Sequence, residues 1–209
     1  MYKCDGTIDK VIELDNIIKL AICSEVYEPS DDTWLLIDVV KQVACGQSSR
    51  VFVDMGAGTG VVGIYISTLN LYSYILSVDI NPCSVLCVLE NVRRNGLGHL
   101  IDVVQSDNML FLRCGVEGIT IAYNTPYLPV SDEGLLGLAW SGGLNEVLRT
   151  FTLFAERCRK HCLLIVVFSS LSGPLDQVFE IATNLGFKLV AIRTKHLFFE
   201  KLVCTVFRR

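Results

Sequence analysis

A run of alternating glycines at positions 56, 58 and 60 constrains the fold of this chain more than any other feature. The segment 51–55 before it is apolar apart from Asp54, and the segment 61–66 after it is an apolar run compatible with a helix. A buried strand, a glycine turn that a ligand can approach closely and a helix form the first unit of a doubly wound nucleotide-binding sheet. The sequence therefore predicts an α/β fold with a ligand at this turn.

The glycine turn is compatible with two classes of cofactor. The segment 58–63 fits the G-x-G-x-x-G dinucleotide fingerprint, with Asp79 about twenty residues further on. That fit would place Asp54 and Gly56 inside a buried parallel strand, where a carboxylate and a flexible residue are unfavourable. We therefore expect the strand to end at Asp54, whose carboxylate would repel a pyrophosphate but suits an ammonium and a sulfonium. The predicted cofactor is S-adenosylmethionine, and a nicotinamide-dependent oxidoreductase is disfavoured.

Composition limits the classes of partner. The 209 residues predict one domain, with residues 1–25 as an N-terminal extension. The net charge is −4 and no Lys or Arg cluster exceeds a pair, so direct binding of nucleic acid is not expected. The mean hydropathy of +0.47 is high, yet no apolar run approaches a transmembrane length and no secretory signal is visible. These features predict a cytoplasmic protein, with the nucleus as a second compartment, whose apolar surface another subunit covers.

The chain contains nine cysteines and no CxxC pair. We interpret them, Cys45 included, as reduced thiols that act as small core residues in an intracellular protein. Two pairs, Cys83 with Cys87 and Cys158 with Cys162, have a spacing that would place both thiols on one helix face. No histidine lies nearby at ligand spacing, so no metal site is predicted.

The remaining pattern alternates strands with helices. Residues 1–22 are β-capable and are expected to cap one end of the sheet, and Asp31 or Asp32 is expected to cap a helix over 34–44. The further predicted elements are strands at 74–79, 101–105, 118–123 and 163–168, helices at 82–95, 144–159 and 174–185, and a closing hairpin of 187–194 with 197–207.

Polar residues follow four of the predicted parallel strands, as ligand sites in open α/β sheets require. Asp79 ends its strand where a carboxylate can hold a ribose diol, and Asp107 with Asn108 can hydrogen-bond an adenine amino group. Each residue also has a purely structural alternative, such as a helix cap for Asp79.

The segment from Asn124 to Tyr127 suggests the chemistry. The Asn124 side-chain oxygen and the Thr125 carbonyl can each accept one N–H of a flat amide or amino group, Pro126 stiffens the turn, and Tyr127 can pack on the planar face. An ordinary turn is the alternative. The loop 135–143 is expected to cover the pocket, with Trp140 either walling the substrate slot or lying in the core.

Five segments together resemble the HemK-like glutamine methyltransferases, in order and in spacing: 27–33 (YEPSDDT), 54–60 (DMGAGTG), 79–82 (DINP), 124–127 (NTPY) and 139–143 (AWSGG). The match is closest to the short eukaryotic and archaeal branch. The resemblance implies a seven-stranded, mostly parallel Rossmann-like sheet of order 3-2-1-4-5-7-6. It also implies that the cofactor is bound by Thr33, Asp54, Gly56, Gly58, Asp79, Asn81, Asp107, Asn108 and Asn124, and that the target amide is held by Asn124, Thr125, Pro126 and Tyr127.

The resemblance further implies an activity and a partner. The activity is methyl transfer to the amide nitrogen of the glutamine in the Gly-Gly-Gln loop of the class-1 translation release factor. The partner is a small zinc-binding activator, which we expect at the apolar edge strand 101–105. Thr125 replaces the family's usual proline. The alternatives are methylation of a protein lysine or of an adenine or guanine amino group, and a scaffold subunit that binds the cofactor without turnover.

Overall fold

The computed structural model describes residues 4–44 and 49–209, so Lys3 and Cys45 lie outside the described residues. A seven-stranded sheet is built from β3 (Val51–Met55), β4 (Tyr74–Asp79), β5 (Ile101–Gln105), β6 (Ile119–Asn124), β7 (Leu163–Ser169), β8 (Lys188–His196) and β9 (Lys201–Arg208). A separate hairpin consists of β1 (Ile8–Leu14) and β2 (Ile18–Cys23). The helices are α1 (Asp31–Ala44), α2 (Val61–Ser67), α3 (Pro82–Arg94), α4 (Gly143–Arg157) and α5 (Leu175–Asn184).

The strand order of the large sheet is β5-β4-β3-β6-β7-β9-β8. Counted from β3, this is 3-2-1-4-5-7-6, which confirms the predicted α/β class and topology. The first five strands of that order run parallel, whereas β9 pairs antiparallel with β7 and with β8. Every residue of β7 is buried, as expected for a strand covered on both faces.

A hydrophobic core lies on each face of the sheet. Side chains of α1, α2 and α3 contribute to one core, and side chains of α4 and α5 contribute to the other. In the second core, Phe151 of α4 is fully buried and meets Phe207 edge to face, with 5.1 Å between the ring centroids. All parallel strands therefore present their carboxyl ends at one rim, between two helical layers.

Two boundaries near the glycine turn differ from the prediction. Helix α1 begins at Asp31, so Asp31 and Asp32 lie in its first turn instead of capping it from outside. Strand β3 continues one residue beyond Asp54 to Met55, because Met55 still pairs with Val78 of β4 and with Tyr123 of β6. Two short 3₁₀ turns, Asn108–Phe111 and Leu136–Ala139, lie in segments for which the sequence predicts no helix.

The N-terminal hairpin, which the sequence predicts as a cap over one end of the sheet, packs through β2 against α3 and α2. Side-chain amides explain this position. Asn91 of α3 accepts from the Ala21 N–H over 2.7 Å and donates to the Ala21 carbonyl over 2.9 Å. Asn95 makes the same pair of bonds with Lys19. Two asparagines one helical turn apart thus satisfy the free edge of β2 as a neighbouring strand would.

Two disulfide bonds connect the N-terminal segment to α3, namely Cys4 with Cys83 and Cys23 with Cys87. The interpretation of all cysteines as reduced thiols is therefore wrong for these four. The sequence shows the i, i+4 spacing of the two α3 cysteines but not their partners, which lie 79 and 64 residues away. Within the described ranges, no helix is long and apolar enough to cross a membrane, and no cluster of His, Cys, Asp or Glu could hold a metal ion.

Candidate active site

The glycine turn after β3 opens a cavity at the carboxyl rim of the sheet. Gly56, Gly58 and Gly60 all have positive φ angles, of 64°, 56° and 78°. A Cβ on Gly56 would also lie 2.7 Å from Cε2 of Tyr123, so only glycine fits there. The cavity is lined by the backbone of this turn and by side chains of six other segments.

Asp54 lies beneath the turn and is 1% exposed. Its Oδ2 accepts a hydrogen bond of 2.9 Å from the Gly63 N–H, in the first turn of α2. A Cβ on Gly63 would lie 3.2 Å from that oxygen, so glycine allows the helix to approach closely. Burial raises the pKa of Asp54 to about 8 despite this bond, with a smaller contribution from the charge of Asp79. A cationic ligand in the cavity would relieve that cost.

Asp79 lies at the end of β4 and closes the turn from the other side. Its Oδ2 accepts from the Gly58 N–H and its Oδ1 from the Asn81 N–H, each over 2.8 Å. Burial raises the pKa of Asp79, and these backbone bonds oppose the rise. The Asn81 side chain is used structurally: it caps α3 at Cys83 and donates to the Glu25 carbonyl. Asn81 therefore lines the cavity with a side chain that these two hydrogen bonds hold in place.

The third polar pair, Asp107 and Asn108, is held by α4. Arg149 donates to both carboxylate oxygens of Asp107, at 2.9 and 2.7 Å, and also contacts Glu146. The Asn108 amide donates to Glu146 and Thr150. Its Oδ1, the atom that would accept from an adenine amino group, already accepts from the Met109 N–H over 2.8 Å, so the predicted adenine contact would have to use the second lone pair of that oxygen.

Glu146 and Arg149 line the cavity, and the sequence interpretation missed both. Their i, i+3 spacing predicts an ordinary surface ion pair on a helix. Nothing local in the sequence indicates that this helix face meets Asp107. The hydrogen bonds to Asp107 raise the pKa of Arg149, so the guanidinium is a fixed positive charge at the rim.

Asn124 ends β6 and lines the cavity. Its Oδ1 is buried and accepts no hydrogen bond from any residue in the described ranges. Leaving a buried acceptor unpaired costs on the order of 1–3 kcal/mol, which a ligand N–H would recover. This atom is the clearest sign of a missing donor in the site.

Of the next three residues, only Pro126 lines the cavity. The Thr125 side chain is buried beneath it: its N–H and Oγ1 both donate to the Val167 carbonyl, over 3.2 and 2.7 Å. A proline at position 125 would lack both donors and would restrain the backbone by its ring. In this chain, the two hydrogen bonds from Thr125 to β7 restrain the backbone instead.

Tyr127 is not among the residues that line the cavity; its hydroxyl instead donates to Asp32 Oδ2 over 3.2 Å. The Tyr27 hydroxyl lies 3.1 Å from the same oxygen. Asp32 is 4% exposed and also accepts from the Thr33 N–H. Thr33 lines the cavity, so this cluster connects the cofactor side of the site with the segment that follows Asn124.

The loop over the pocket contributes Leu138, Ala139 and Ser141 to the cavity wall. Trp140 adopts neither expected position, because its indole N–H turns away to donate to Asp132 over 2.6 Å and the ring is half-buried. Gly142 packs against Pro126: a Cβ there would lie 2.4 Å from the Pro126 carbonyl oxygen. The loop is thus fixed against the segment that carries Asn124.

The cavity fits S-adenosylmethionine by its chemistry. The buried carboxylate of Asp54 and the partly buried carboxylate of Asp79, both with raised pKa values, suit the positive charges of an ammonium and a sulfonium. Besides Asn124 Oδ1, the buried hydroxyl of Thr59 in the cavity wall has no partner in the described part of the chain. The exposed backbone of the glycine turn allows close approach. Thr33, Asp54, Gly56, Gly58, Asp79, Asn81, Asp107, Asn108 and Asn124 all line this one cavity.

Comparison with solved structures gives the fold class. The structure of Trm5 from Methanocaldococcus jannaschii with adenosine superposes with a TM-score of 0.68, at 17% identity, over 95% of this chain and 54% of that one. The structure of TYW2 from M. jannaschii with AdoMet gives a TM-score of 0.63 at 14% identity, over 97% of this chain and 87% of that one. Both likenesses show the class I methyltransferase fold.

Sequence comparison gives the family. Residues 38–126 match the family model of the TRM5/TYW2 methyltransferase domain. A putative protein N5-glutamine methyltransferase of M. jannaschii is 31% identical over 206 residues, 95% of this chain and 99% of that protein. Methyltransferase HEMK2 of Homo sapiens is 30% identical, over 78% of this chain and 80% of its own length. The chain is therefore a member of the HemK-like protein N5-glutamine methyltransferases, enzymes that use S-adenosylmethionine.

Proposed function

We propose that this enzyme methylates the side-chain amide nitrogen of the glutamine in the Gly-Gly-Gln loop of a class-1 translation release factor. Relatives named release factor glutamine methyltransferase, 25% identical over about half of this chain, support that substrate. The proposal places the reaction in the cytoplasm. Disulfides are uncommon in that compartment outside hyperthermophiles, which makes the redox state of the four bonded cysteines a property to measure.

The observation that supports an amide acceptor most directly is the unpartnered Oδ1 of Asn124. An amide nitrogen is a poor nucleophile because its lone pair is delocalised. When bound, S-adenosylmethionine supplies an electrophilic methyl group on its sulfonium. Asn124 Oδ1 would accept one N–H of the glutamine amide, and we expect the Thr125 carbonyl to accept the other, which orients the nitrogen toward that methyl group. The rigid attachment of Thr125 to Val167 keeps this acceptor in place.

We also propose that the enzyme works as a heterodimer with a small zinc-binding activator. Strand β5 is an edge of the large sheet, and Val103 and Val104 in it are half-buried. Two apolar residues on the outer face of the neighbouring helix α3 are exposed, Leu86 at 43% and Leu89 at 48%. An open strand edge beside exposed leucines suits a partner that adds a strand and covers the helix.

A substitution on this surface tests the partner. Leu89→Glu should abolish co-purification of the activator and reduce activity to that of the isolated chain. Leu189→Glu is the matched control, because Leu189 is also 48% exposed but lies on β8 at the opposite sheet edge. Co-purification of the activator with the Leu89 variant would exclude this surface.

The decisive assay follows labelled methyl from S-adenosylmethionine into purified release factor, with and without the activator. We expect the label on the Gly-Gly-Gln glutamine, and we expect Asn124→Ala to reduce kcat at least about 100-fold while cofactor binding persists. Label on a lysine or on a nucleic acid would replace the proposed acceptor by one of the alternatives. Cofactor binding without label on any of these would indicate a scaffold subunit.

A further inference from the structure

The turn between β8 and β9 carries two phenylalanines that are almost completely exposed. Phe198 is 97% and Phe199 is 87% exposed, and their ring centroids lie 5.6 Å apart. For comparison, Val190 and Ile192 within β8 are 44% and 46% exposed. The pair is therefore an isolated apolar projection and not a continuation of the sheet surface.

Local structure does not explain these aromatic residues. The turn is closed by a hydrogen bond of 2.9 Å from the Leu197 N–H to the Glu200 carbonyl, which puts Phe198 and Phe199 at its two central positions. Those positions favour Gly, Asn, Asp, Ser and Pro, which adopt turn conformations easily. Two phenylalanines bring no conformational advantage there and expose apolar surface to water.

The base of the turn is rigidly held. The Ser170 N–H donates to the Lys201 carbonyl, and the Lys201 N–H donates to Ser170 Oγ, each over 2.9 Å. The Ser169 hydroxyl donates to the Glu200 carboxylate. Because the base is fixed, the backbone of the turn loses little conformational entropy when a partner covers the two rings.

The position of the turn connects it with the active site. In the sheet, Ser169 at the end of β7 pairs with Leu202 of β9, and Val167 pairs with Asn124 of β6. The turn therefore projects from the same rim that carries Asn124. An ion pair of 2.8 Å between Lys195 and Asp31 also ties β8 to the start of α1, next to the Tyr27 and Asp32 cluster. The charge of Glu200 contributes to the raised pKa of Tyr127.

We propose that the turn of Phe198 and Phe199 docks the protein substrate by inserting both rings into an apolar depression beside its glutamine loop. This inference rests on the proposed function. A short loop that enters a recessed cavity offers few contacts, so affinity for a whole protein has to come from surface beyond the cavity, and buried aromatic anchors dominate such interfaces. A lipid surface is the weaker alternative, because a bilayer could cover the turn but would not deliver a substrate into the cavity beside it.

The test compares Phe198→Ser/Phe199→Ser with Val190→Ser/Ile192→Ser, which removes exposed apolar residues from β8 in the same hairpin. Three quantities are measured for the complex with activator: KM and kcat for full-length release factor, Kd for S-adenosylmethionine, and Kd for the release factor in the presence of S-adenosylhomocysteine. The turn variant should raise KM and the release-factor Kd about tenfold and leave kcat and cofactor Kd unchanged. The Val190→Ser/Ile192→Ser control should leave KM, kcat and both Kd values unchanged.

The outcomes separate the two proposals. Labelling of the release factor with an unchanged KM and Kd in the turn variant would overturn the docking role alone. Absence of labelling by the wild-type complex would overturn the proposed function and, with it, this inference. The third outcome concerns vesicles of phosphatidylcholine and phosphatidylserine. If the wild type sediments with these vesicles, the turn variant does not, and KM is unchanged, the turn would be reassigned to binding a membrane surface.

Discussion

The hydroxyl of Tyr127 lies 3.2 Å from Oδ2 of Asp32, although the two residues are 95 positions apart in the chain. Because the Tyr27 hydroxyl reaches the same carboxylate, Asp32 fixes the segment after Asn124 to the start of α1. Burial and the charge of Asp32 raise the pKa of both tyrosines, so both hydroxyls remain donors at neutral pH. The acceptor segment is thus held by a buried charge that does not itself line the cavity.

Asp32→Asn should reduce kcat/KM about tenfold or more, because hydrogen bonds to a charged group contribute about 1.5–3 kcal/mol and an amide replaces them imperfectly. Steady-state kinetics with release factor would measure this, and the cofactor Kd should change less than kcat. Asp31→Asn is the control: Asp31 forms an exposed ion pair with Lys195, worth at most about 1 kcal/mol. Equal losses in the two variants would contradict the role assigned to Asp32.

Asp54 should make cofactor affinity depend on pH. Its carboxyl is protonated below about pH 8 in the free protein, and a cationic ligand favours the ionised form, so binding below that pH expels a proton. Affinity should therefore fall as pH falls, by up to about tenfold per unit between about pH 8 and pH 6. Calorimetry in buffers of different ionisation enthalpy would count the released proton.

Two controls isolate the contribution of Asp54 to this pH dependence. S-adenosylhomocysteine lacks the sulfonium charge and should show a weaker dependence. The Asp54→Asn variant should retain only the pH dependence of affinity that comes from Asp79, whose pKa is also raised. An equally steep dependence in Asp54→Asn would assign the proton to another group.

The free energy of unfolding should show the opposite trend in the cofactor-free protein. The unfolded carboxyl has a pKa near 3.9, so between about pH 4 and pH 8 the native state binds a proton that the unfolded chain has lost. This contribution to stability is therefore largest at the acid end of that window and declines as pH rises. Urea denaturation should show that the free energy of unfolding of Asp54→Asn does not decline with pH in this window as that of the wild type does.

Thr125→Val should lower the free energy of unfolding by about 1 kcal/mol, because it removes the hydrogen bond from Oγ1 to the Val167 carbonyl while keeping the shape of the side chain. Urea denaturation would measure the change. The backbone bond to Val167 remains in this variant, so kcat should fall less than in Asn124→Ala. A loss of kcat as large as that of Asn124→Ala would mean that the hydroxyl itself orients the substrate.

Reduction of the two disulfides should destabilise the protein, because each bond closes a long loop and contributes typically about 2–4 kcal/mol. For a chain of this length, loss of both bonds should lower the melting temperature by about 10–30 °C in a reductant. Cys4→Ser/Cys23→Ser should show the lower value with or without reductant. A wild-type melting temperature that does not respond to reductant would show that these thiols are unpaired in solution.

Much of the fold was predictable because its signals are local. The glycine turn, the carboxyl-terminal acid of β4 and the exact bounds of β5 can be read from a few consecutive residues. The predicted cavity residues from Thr33 to Asn124 also lie at motif positions, so the sequence predicts them without knowledge of their geometry. Periodicity and glycine spacing are properties of short windows, which is why they succeed here.

The features that the sequence did not reveal depend on contacts between distant segments. Asn91 looks like an ordinary polar helix residue, yet it replaces a strand neighbour for β2. Arg149 looks like a surface charge, yet it holds Asp107. The disulfide partners of Cys83 and Cys87 lie in the N-terminal segment, and spacing within α3 predicts only that the two thiols share a face. In each case the deciding neighbour is more than 40 residues away.

The position of β9 has a consequence for how the protein is made. Residues Leu202 to Phe207 are buried between β7 and β8, so a strand near the carboxyl end of the sequence lies inside the sheet and not at its border. While the chain emerges from a ribosome, one edge of β7 therefore remains unpaired until β9 follows. All seven residues of β7 are buried in the folded protein, so apolar surface is exposed during this time. The interval between the synthesis of β7 and that of β9 should therefore be the most aggregation-prone stage in the synthesis of this enzyme.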